Sequence, residues 1–499
     1  GIAPLVMLLD SSSPRAQEKA AGALSAIALD NDANKTFIAR MLIDLLSTED
    51  RPAAAKAARA ISRVARAHPK NQEALAQAGV IDILVNLLRG SRDEEAERSQ
   101  ETTTFGHVDK TKPEVALMQK EVATALWSLA LMQREVCSAT WSLADNNADN
   151  QASIAETGGI TLLVALLRGS PEVHGDAAGA LWSLAQSASN QKLIADEGGI
   201  EALCSLLKTG SKGAQETSAG ALHVLAARTE NRALINDAKG ITLLVALLEV
   251  GSPEAKSQAA GALLALVGGQ NFTPYNTVNQ SGVSRELVAM LSNSKTSLEA
   301  QEHATAVLRN LALDSENRAS IASAGAIPQL ARQLKDGLPY GQEMAASALS
   351  QLALKSATLR VQVTQELVGL LGSNLSDVRG RAANALRAMN ATHNESMSIA
   401  MAGGIDRFVH LLTHGSVEAQ EYALWSLWQS ADVASKVSIA EAGCSEPIIA
   451  TLVAGKLHEV AKEHAAAVLY FLSSEGVSGV SKELCMKNRQ DIEEAGGLI

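Results

Sequence analysis

Few side chains in this chain have the types and spacing that chemistry would need. His410 and His414 are four residues apart, and two imidazoles at that spacing can share a metal ion on one face of a helix. No third ligand accompanies them, so we interpret both as partly exposed residues at a helix end. The sequence has no GxxxxGK[ST] phosphate loop, no GxSxG nucleophile turn and no HExxH zinc motif. We therefore expect a protein that is not an enzyme and uses no cofactor, metal or small-molecule substrate.

Cysteine spacing and charge exclude further classes of protein. The four cysteines form no CxxC pair, which argues against both a disulfide framework and a zinc site: Cys137, Cys204, Cys444 and Cys485. A net charge of −11 over 499 residues disfavours nucleic-acid binding, because phosphate backbones are bound by clustered Lys and Arg. No run of about 18 apolar residues predicts a membrane span. We expect reduced thiols and a cytoplasmic location, with nuclear or cytoskeleton-associated locations as alternatives.

A pattern with a period of about 40 residues organises the chain. Asn150, Asn190, Asn231 and Asn271 are 40, 41 and 40 residues apart, and each precedes a short helical pattern. In the regular repeats a Gly turn, an apolar run, a Gly-Ser corner and a longer amphipathic pattern follow. Such a period is typical of solenoids, and 46% hydrophobic with only 3% aromatic residues suits close-packed helices. The pattern predicts three helices in each repeat.

The residues between these helices have predicted roles. Asn150 suits a helix N-cap, because its side-chain oxygen can accept a bond from a free helical N–H. The Gly158-Gly159 pair then ends the first helix, since glycine adopts left-handed geometry without a steric penalty. In residues 169–172, Gly-Ser-Pro-Glu, we predict that Gly closes the second helix, Ser caps the third and Pro occupies its first turn. Residues 251–254 repeat this arrangement.

This pattern resembles the armadillo repeat, whose third helix ends in an Ala-Leu-x-x-Leu-Ala phrase. The phrase stands at residues 180–185, and residues 307–312 are a close relative of it. The resemblance covers essentially the whole chain and implies an all-α, right-handed superhelical solenoid of three-helix repeats. We expect a single array over residues 1–499, with about eleven repeats and a partial twelfth. Neither end carries a polar capping repeat, so we expect the array to be truncated at both ends.

Several stretches depart from the regular period. Residues 34–40 belong to a repeat that lacks its Gly turn, and residues 271–283 and 356–363 are degenerate. Residues 90–144 contain an irregular insertion and a duplication, in which residues 116–129 and 130–143 agree at ten of fourteen positions. Fourteen residues are too few for three helices, so the two copies are not two repeats.

Three explanations of the duplication remain open. It is an extended helix, continuous or broken near residues 131–133, or a degenerate extra repeat, or a fault in the sequence. Upstream, Gly90-Ser91 is the predicted corner between a second and a third helix. Ser91 and Glu94 have the spacing of a capping box, in which each side chain satisfies a free backbone N–H of the other residue.

Armadillo proteins usually bind extended peptides or partner helices on their third helices. Importin-like members carry a Trp and, four residues later, an Asn on this helix, and the pair holds the backbone of a basic peptide. At the corresponding positions of this chain Asn310 is the one Asn, and no Trp is present. The resemblance to nuclear-import receptors therefore stops at the fold.

The tryptophans stand instead one residue before that Asn position, and we call this position the aromatic column. We predict a concave groove that binds the partner through residues on or near this column: Trp127, Trp141, Trp182, His223, Arg309, Arg381, Asn384, Arg387, Tyr422, Trp425 and Tyr470. Tyr422 and Trp425 are our first choice for a peptide contact, with core packing as the alternative for the aromatic residues. Arg381, Asn384 and Arg387 follow helical spacing, so this stripe and Arg309 suit an acidic segment near repeats seven to nine. A solvated charged face is the alternative.

Glycine recurs three residues before the column, at positions 22, 179, 220 and 261. Because Trp182 lies three residues after Gly179, we expect its ring to lean over the bare backbone there. Glycine inside a helix costs roughly 0.5–1 kcal/mol relative to Ala, so its recurrence indicates a close approach. Tight packing of neighbouring helices and a groove shaped for a ligand backbone are the two explanations.

The expected function is that of a noncatalytic scaffold or adaptor, which binds protein or peptide partners through the groove lined by the third helices. The main alternative is the substrate-recognition arm of a larger enzyme such as a ubiquitin ligase. A nuclear-transport adaptor is a further alternative, which the missing Trp and Asn pairs disfavour.

Overall fold

The computed structural model of the chain describes residues 2–8, 13–28, 31–48, 51–66, 68–104, 113–268, 282–354, 356–390, 405–415, 417–429, 431, 433–474 and 482–494. Within these ranges some side chains, among them those of Trp127 and Arg387, lie outside the described residues. The described residues form 29 α-helices and no strand. The prediction of an all-α fold is therefore confirmed.

The helices belong to two compact units, Gly1–Val278 and Asn279–Ile499. The first unit contains α1 (Ile2–Leu8), α2 (Pro14–Ala28), α3 (Asp32–Leu46), α4 (Arg51–Ala65), α5 (Pro69–Gln77), α6 (Val80–Thr104), α7 (Pro113–Ala144), α8 (Ala148–Glu156), α9 (Gly159–Leu166), α10 (His174–Leu184), α11 (Ala188–Asp196), α12 (Gly199–Thr209), α13 (Lys212–Leu225), α14 (Thr229–Asp237), α15 (Gly240–Val250) and α16 (Pro253–Val267).

The second unit contains α17 (Val283–Ser292), α18 (Leu298–Leu311), α19 (Ser315–Ser323), α20 (Ala326–Asp336), α21 (Pro339–Leu352), α22 (Ala357–Leu371), α23 (Ser376–Asn390), α24 (Ile405–His414), α25 (Val417–Gln429), α26 (Val433–Glu441), α27 (Ser445–Val453), α28 (Glu459–Ser473) and α29 (Lys482–Glu494).

Stacked third helices run through each unit. In the first unit α4, α7, α10, α13 and α16 pack in that order, each against the next. In the second unit α18, α21, α23, α25 and α28 do the same. Their contact faces are made of small and branched apolar residues, of which Ala177, Leu181 and Leu184 of α10 are completely buried. Each unit is thus a solenoid, in which a repeat packs mainly against its neighbours.

The recurrent Asn joins one repeat to the next, and the prediction that it caps its helix is wrong. Asn147 caps α8 by accepting the backbone N–H of Asn150 at 3.0 Å. The buried side chain of Asn150 instead donates to the Leu143 carbonyl, 2.8 Å away at the end of α7. Four other Asn side chains bond the last turn of the preceding third helix in the same way: Asn71, Asn190, Asn231 and Asn317. The amide donates to a carbonyl of the last helical turn, where no N–H four residues later in the same helix is available.

Most of the predicted turns are present. Gly158 and Gly198 end their helices in left-handed geometry, with φ of 84° and 74°. In the next repeat Lys239 takes that conformation, with φ of 60°. Ser252 caps α16 as predicted, because its side chain accepts the N–H of Ala255 at 3.1 Å and a proline follows it.

The predicted start of α10 is wrong. Residues 171–173 form a turn, the helix begins at His174, and Ser170 is not its cap. Two contacts hold this turn in place: the His174 ring bonds the Gly169 carbonyl at 3.0 Å, and the side chain of Val173 is completely buried. The local sequence alone does not distinguish this turn from residues 251–254, where the same four residues, Gly-Ser-Pro-Glu, do include a serine cap.

Two of the irregular repeats contain a single helix where a regular repeat has its first two. They are α3 and α22, which cover the stretches at residues 34–40 and 356–363. Neither stretch contains the Gly turn that would separate two helices, so the first helix continues into the second. The third irregular stretch falls largely on residues 269–281, outside the described residues.

The duplicated sequence lies on one continuous helix. α7 runs through both copies without a break near residues 131–133. The predicted corner at Gly90-Ser91 is wrong, since α6 continues through it. The Ser91 hydroxyl donates to the Leu88 carbonyl at 2.9 Å within the helix, so it does not cap a new one. The second copy packs between α4 and α10 and is therefore the third helix of its repeat.

Candidate functional site

Three rings of the column, those of Trp141, Trp182 and His223, lie over the next third helix in the stack. The indole of Trp141 on α7 covers Gly179 on α10, where an added Cβ would lie 2.4 Å from a ring carbon. Two further pairs make the same contact, at 2.7 Å and 2.6 Å: Trp182 with Gly220, and His223 with Gly261. The rings are partly exposed. They therefore form a ladder of rings on glycines across α7, α10, α13 and α16.

This ladder corrects the prediction for Trp182, whose ring covers Gly220 of the neighbouring helix and does not define the space at Gly179. The recurrent glycines do mark close approaches, and tight packing of neighbouring helices explains Gly179, Gly220 and Gly261. Gly22 does not belong to the set, because an added Cβ there would meet nothing within 4 Å.

The same geometry continues in the second unit with a polar pair. The Arg309 side chain on α18 reaches Ser347 on α21, where Nε donates to Oγ at 3.1 Å. It also donates to Asn310 on its own helix at 3.0 Å. Serine here stands where the first unit has glycine, and a planar guanidinium replaces the ring.

Tyr422 is a core residue, and its prediction as a partner contact is wrong. Its side chain is 1% exposed and packs edge-on against Phe408, with ring centroids 6.0 Å apart. Trp425, one turn further on, is partly exposed. Trp428 is 40% exposed and stacks on His464 at 4.8 Å. The exposed aromatic surface of α25 thus begins after Tyr422, because that residue faces α24.

The other predicted contacts of the second unit differ in exposure. Tyr470 on α28 is 75% exposed, Asn384 on α23 is exposed, and Arg381 is partly exposed. The side chain of Arg387, like that of Trp127 in the first unit, lies outside the described residues. Arg379 does not join this stripe, because it is buried and donates to the Ser373 carbonyl at 2.7 Å.

A charged cleft beside the ring ladder was missed by sequence reasoning. It has a volume of about 550 Å³. Its charged lining residues lie on α4, directly after α4, on α7 and on α10: Arg59, Arg63, Arg66, Arg134, Glu135 and Asp176. We call it the arginine cleft. Three of its arginines recur on one helical face of the α4 segment, a spacing that the sequence does show. What the sequence does not show is that α7 lies beside it.

Two carboxylates partly neutralise the arginine cleft. Glu135 Oε1 accepts from Arg59 at 2.9 Å and from Arg134 at 2.8 Å. Burial by itself raises the pKa of Glu135, but these two hydrogen bonds hold the pKa below its usual value. Burial raises the pKa of Asp176 to about 6, although Arg134, Arg66 and a hydrogen bond from Ser138 favour its charged form. Glu135 therefore stays charged at a lower pH than Asp176 does.

A second cleft of about 570 Å³ adjoins the first. Its lining includes Trp141, Trp182 and Gln186 and also Arg66, which lines the arginine cleft as well. We call it the tryptophan cleft. The exposed Arg66 thus joins the charged surface of the arginine cleft to the aromatic surface of the tryptophan cleft.

The histidine pair is not part of a metal site in the described parts of the chain. No group of three or more His, Cys, Asp or Glu in those parts could hold a metal ion. His410 and His414 stack with centroids 4.7 Å apart. Burial, His414 and two nearby arginines lower the pKa of His410. No described helix is both long and apolar enough to cross a membrane.

Comparison with known proteins agrees with this architecture. The model of the plant U-box protein ARM repeat region matches residues 172–363, and the model of the armadillo/beta-catenin-like repeat matches residues 396–429. No curated protein matches the chain significantly.

Solved structures of engineered proteins are also similar to the chain. One, from the Northeast Structural Genomics Consortium, is 26% identical with a TM-score of 0.64, and the match covers 89% of this chain and 100% of that one. Another from the same consortium is 30% identical and covers 47% of this chain and 97% of its own, but its TM-score of 0.42 supports no conclusion. The family matches, the three-helix repeat and the stacked third helices lead to one conclusion: this chain belongs to the armadillo-repeat family.

Proposed function

We propose that this protein is a noncatalytic scaffold or adaptor that binds protein partners on its third-helix face. The observation that carries the proposal is the pair of adjoining clefts in the first unit, where partly exposed tryptophans meet arginines. Trp and Arg are the residues on which protein interfaces most often depend. Armadillo repeats, which the family matches identify here, are typical of protein-interaction scaffolds.

We propose further contacts in the second unit. Tyr470, Trp425, Asn384 and Arg381 are supported by their exposure, and Arg309 by its position on the column. An acidic segment of a partner is the proposed ligand of Arg309 and Arg381, since a guanidinium pairs well with carboxylates. Trp127 and Arg387 remain proposed contacts on sequence grounds alone.

We place the protein in the cytoplasm, where thiols remain reduced. The free state of Cys137, Cys204, Cys444 and Cys485 is consistent with this location.

Site-specific photo-cross-linking tests the binding face. A photoreactive benzoylphenylalanine would replace Gln186, which is exposed and lines the tryptophan cleft. The matched control places the same group at Lys192, which is exposed on the first helix α11. We expect a partner protein from a cell extract to cross-link at position 186 and not at 192, and Trp182→Ala to abolish the adduct. Equal adducts at both positions, or none, would reject the proposal.

A second candidate is the substrate-recognition arm of a ubiquitin ligase. The match to the plant U-box protein ARM repeat region over residues 172–363 favours it. The test is whether the partner cross-linked at position 186 becomes ubiquitinated when the full-length protein is mixed with ubiquitin-activating and ubiquitin-conjugating enzymes. A nuclear-transport adaptor requires tight binding of a basic import peptide, and the absence of such binding would eliminate that candidate.

A further inference from the structure

We propose that the arginine cleft and the tryptophan cleft together bind one extended acidic peptide segment of a partner protein. A carboxylate of the segment would lie at Arg66, and an apolar side chain next to it would enter the tryptophan cleft. This inference rests on the proposed function and specifies the chemistry of its partner.

The charge of the arginine cleft is the first argument. Four arginines and two carboxylates line it, so at neutral pH two positive charges are left over. Arg59 and Arg134 are both bonded to Glu135. Arg66 also lines the cleft and is exposed, so a ligand carboxylate can reach it. A chain whose net charge is −11 concentrates positive charge here, which suits an acidic ligand.

The position of Arg66 is the second argument. This residue follows α4 and lines both clefts, so an anionic group bound to it lies directly beside Trp141 and Trp182. The two clefts lie on the successive third helices α4, α7 and α10, whose packing sets the direction of the path. An extended chain with an acidic residue beside an apolar one matches this order. The aromatic cleft gives apolar burial, and the guanidiniums select for charge.

Asp176 makes the site sensitive to pH. Its carboxylate competes with a ligand carboxylate for the same arginines, and it loses this charge when it is protonated. The charged and titratable groups around it are the arginines of the α4 segment, Arg59, Arg63 and Arg66, together with Arg134, Glu135 and Cys137 on α7. On the other side of α10, α13 carries Glu216, whose pKa is raised by burial and by Glu254. Because the pKa of Asp176 is about 6, affinity for an acidic segment should rise as the pH falls through that value.

Fluorescence anisotropy on the full chain tests the charge argument. The probe is a fluorescein-labelled synthetic peptide that alternates pairs of Glu with Leu, and the matched peptide has Lys in place of every Glu. We expect the acidic peptide to bind and added salt to weaken it, because salt screens exposed charges. Arg66→Gln should weaken binding about fivefold, the upper range for one exposed ion pair. Arg285→Gln, which removes the same charge from an exposed site on α17, should leave affinity unchanged.

Asp176→Asn should change the affinity for the acidic peptide in the opposite direction. The substitution keeps the size of the side chain and removes its charge. We expect it to tighten binding of the acidic peptide about fivefold at pH 7.5, because it removes a negative charge beside the bound carboxylate of the ligand. At pH 5 the wild-type carboxyl is itself largely protonated, so both proteins should then bind equally. A residue with a merely structural role would not produce this convergence.

The inference fails if the acidic peptide does not bind, if the Lys peptide binds as well, or if Arg66→Gln behaves like Arg285→Gln. These outcomes leave the proposed function intact as long as a partner still cross-links at position 186 and depends on Trp182. Loss of that adduct rejects the proposed function and this inference together. A partner that cross-links at 186, competes with the acidic peptide and is weakened by Arg66→Gln supports both.

Discussion

Replacement of Gly220 by alanine tests the ring ladder directly. An added Cβ would lie 2.7 to 2.8 Å from three ring atoms of Trp182, whereas carbon atoms in favourable contact are roughly 3.5–4.0 Å apart. The indole must therefore move by about 1 Å, which costs about 1–3 kcal/mol in a well-packed site. Alanine returns about 1 kcal/mol, because it favours the helical state over glycine. We expect Gly220→Ala to destabilise the first unit by about 1 kcal/mol.

Gly213→Ala is the matched control on the same helix, α13. An added Cβ at Gly213 meets no atom within 4 Å, so the substitution brings the helical preference of alanine without a clash. It should stabilise by up to about 1 kcal/mol. The two Gly→Ala variants should thus differ by about 2 kcal/mol with opposite signs.

Urea unfolding followed by circular dichroism gives the stability of both variants. Hydrogen exchange of peptides from α10 and α13 assigns the change to the right helices, which matters because long repeat arrays do not always unfold in one step. Trp182→Ala combined with Gly220→Ala should remove the penalty, with a coupling free energy of about 1 kcal/mol or more. If Gly220→Ala were as stabilising as Gly213→Ala, the proposed ring contact would be refuted.

Three other predictions concern the fold. Asn231→Ala should destabilise by about 1 kcal/mol in urea unfolding, because the buried hydrogen bond from its amide to the Leu225 carbonyl is lost while that carbonyl keeps the Arg228 N–H at 3.3 Å; Glu230→Ala, an exposed neighbour, should have little effect. Ser252→Ala removes the cap of α16 and should cost about 1 kcal/mol, seen as faster hydrogen exchange in its first turn. Asp176 has a pKa raised from 3.8 to about 6 by burial, so the folded state binds more protons than the unfolded state between these values, and stability should fall as the pH rises from about 4 to about 6. In Asp176→Asn that loss should disappear from urea midpoints measured across this range.

The local features of this protein could be predicted from its sequence. The period of about 40 residues predicts the three-helix repeats, because periodic apolar residues mark the buried face of each helix. Gly158 and Gly198 are left-handed as predicted, and Ser252 caps α16, since these conformations depend on residues close in the chain. The continuous α7 was one of the alternatives that the duplicated sequence left open.

The contacts between residues of different helices could not be predicted in this way, because they depend on how the helices pack. The partner of Trp182 is a glycine 38 positions later, and Asn150 bonds a carbonyl of the preceding helix. Tyr422 is buried because α24 and α25 pack around it, which no pattern within α25 reveals. The arginine cleft depends on Arg59 and Glu135, which lie 76 residues apart in the chain. Spacing along a helix shows which face a residue occupies, but the charge of a cleft depends on which helix packs beside that face.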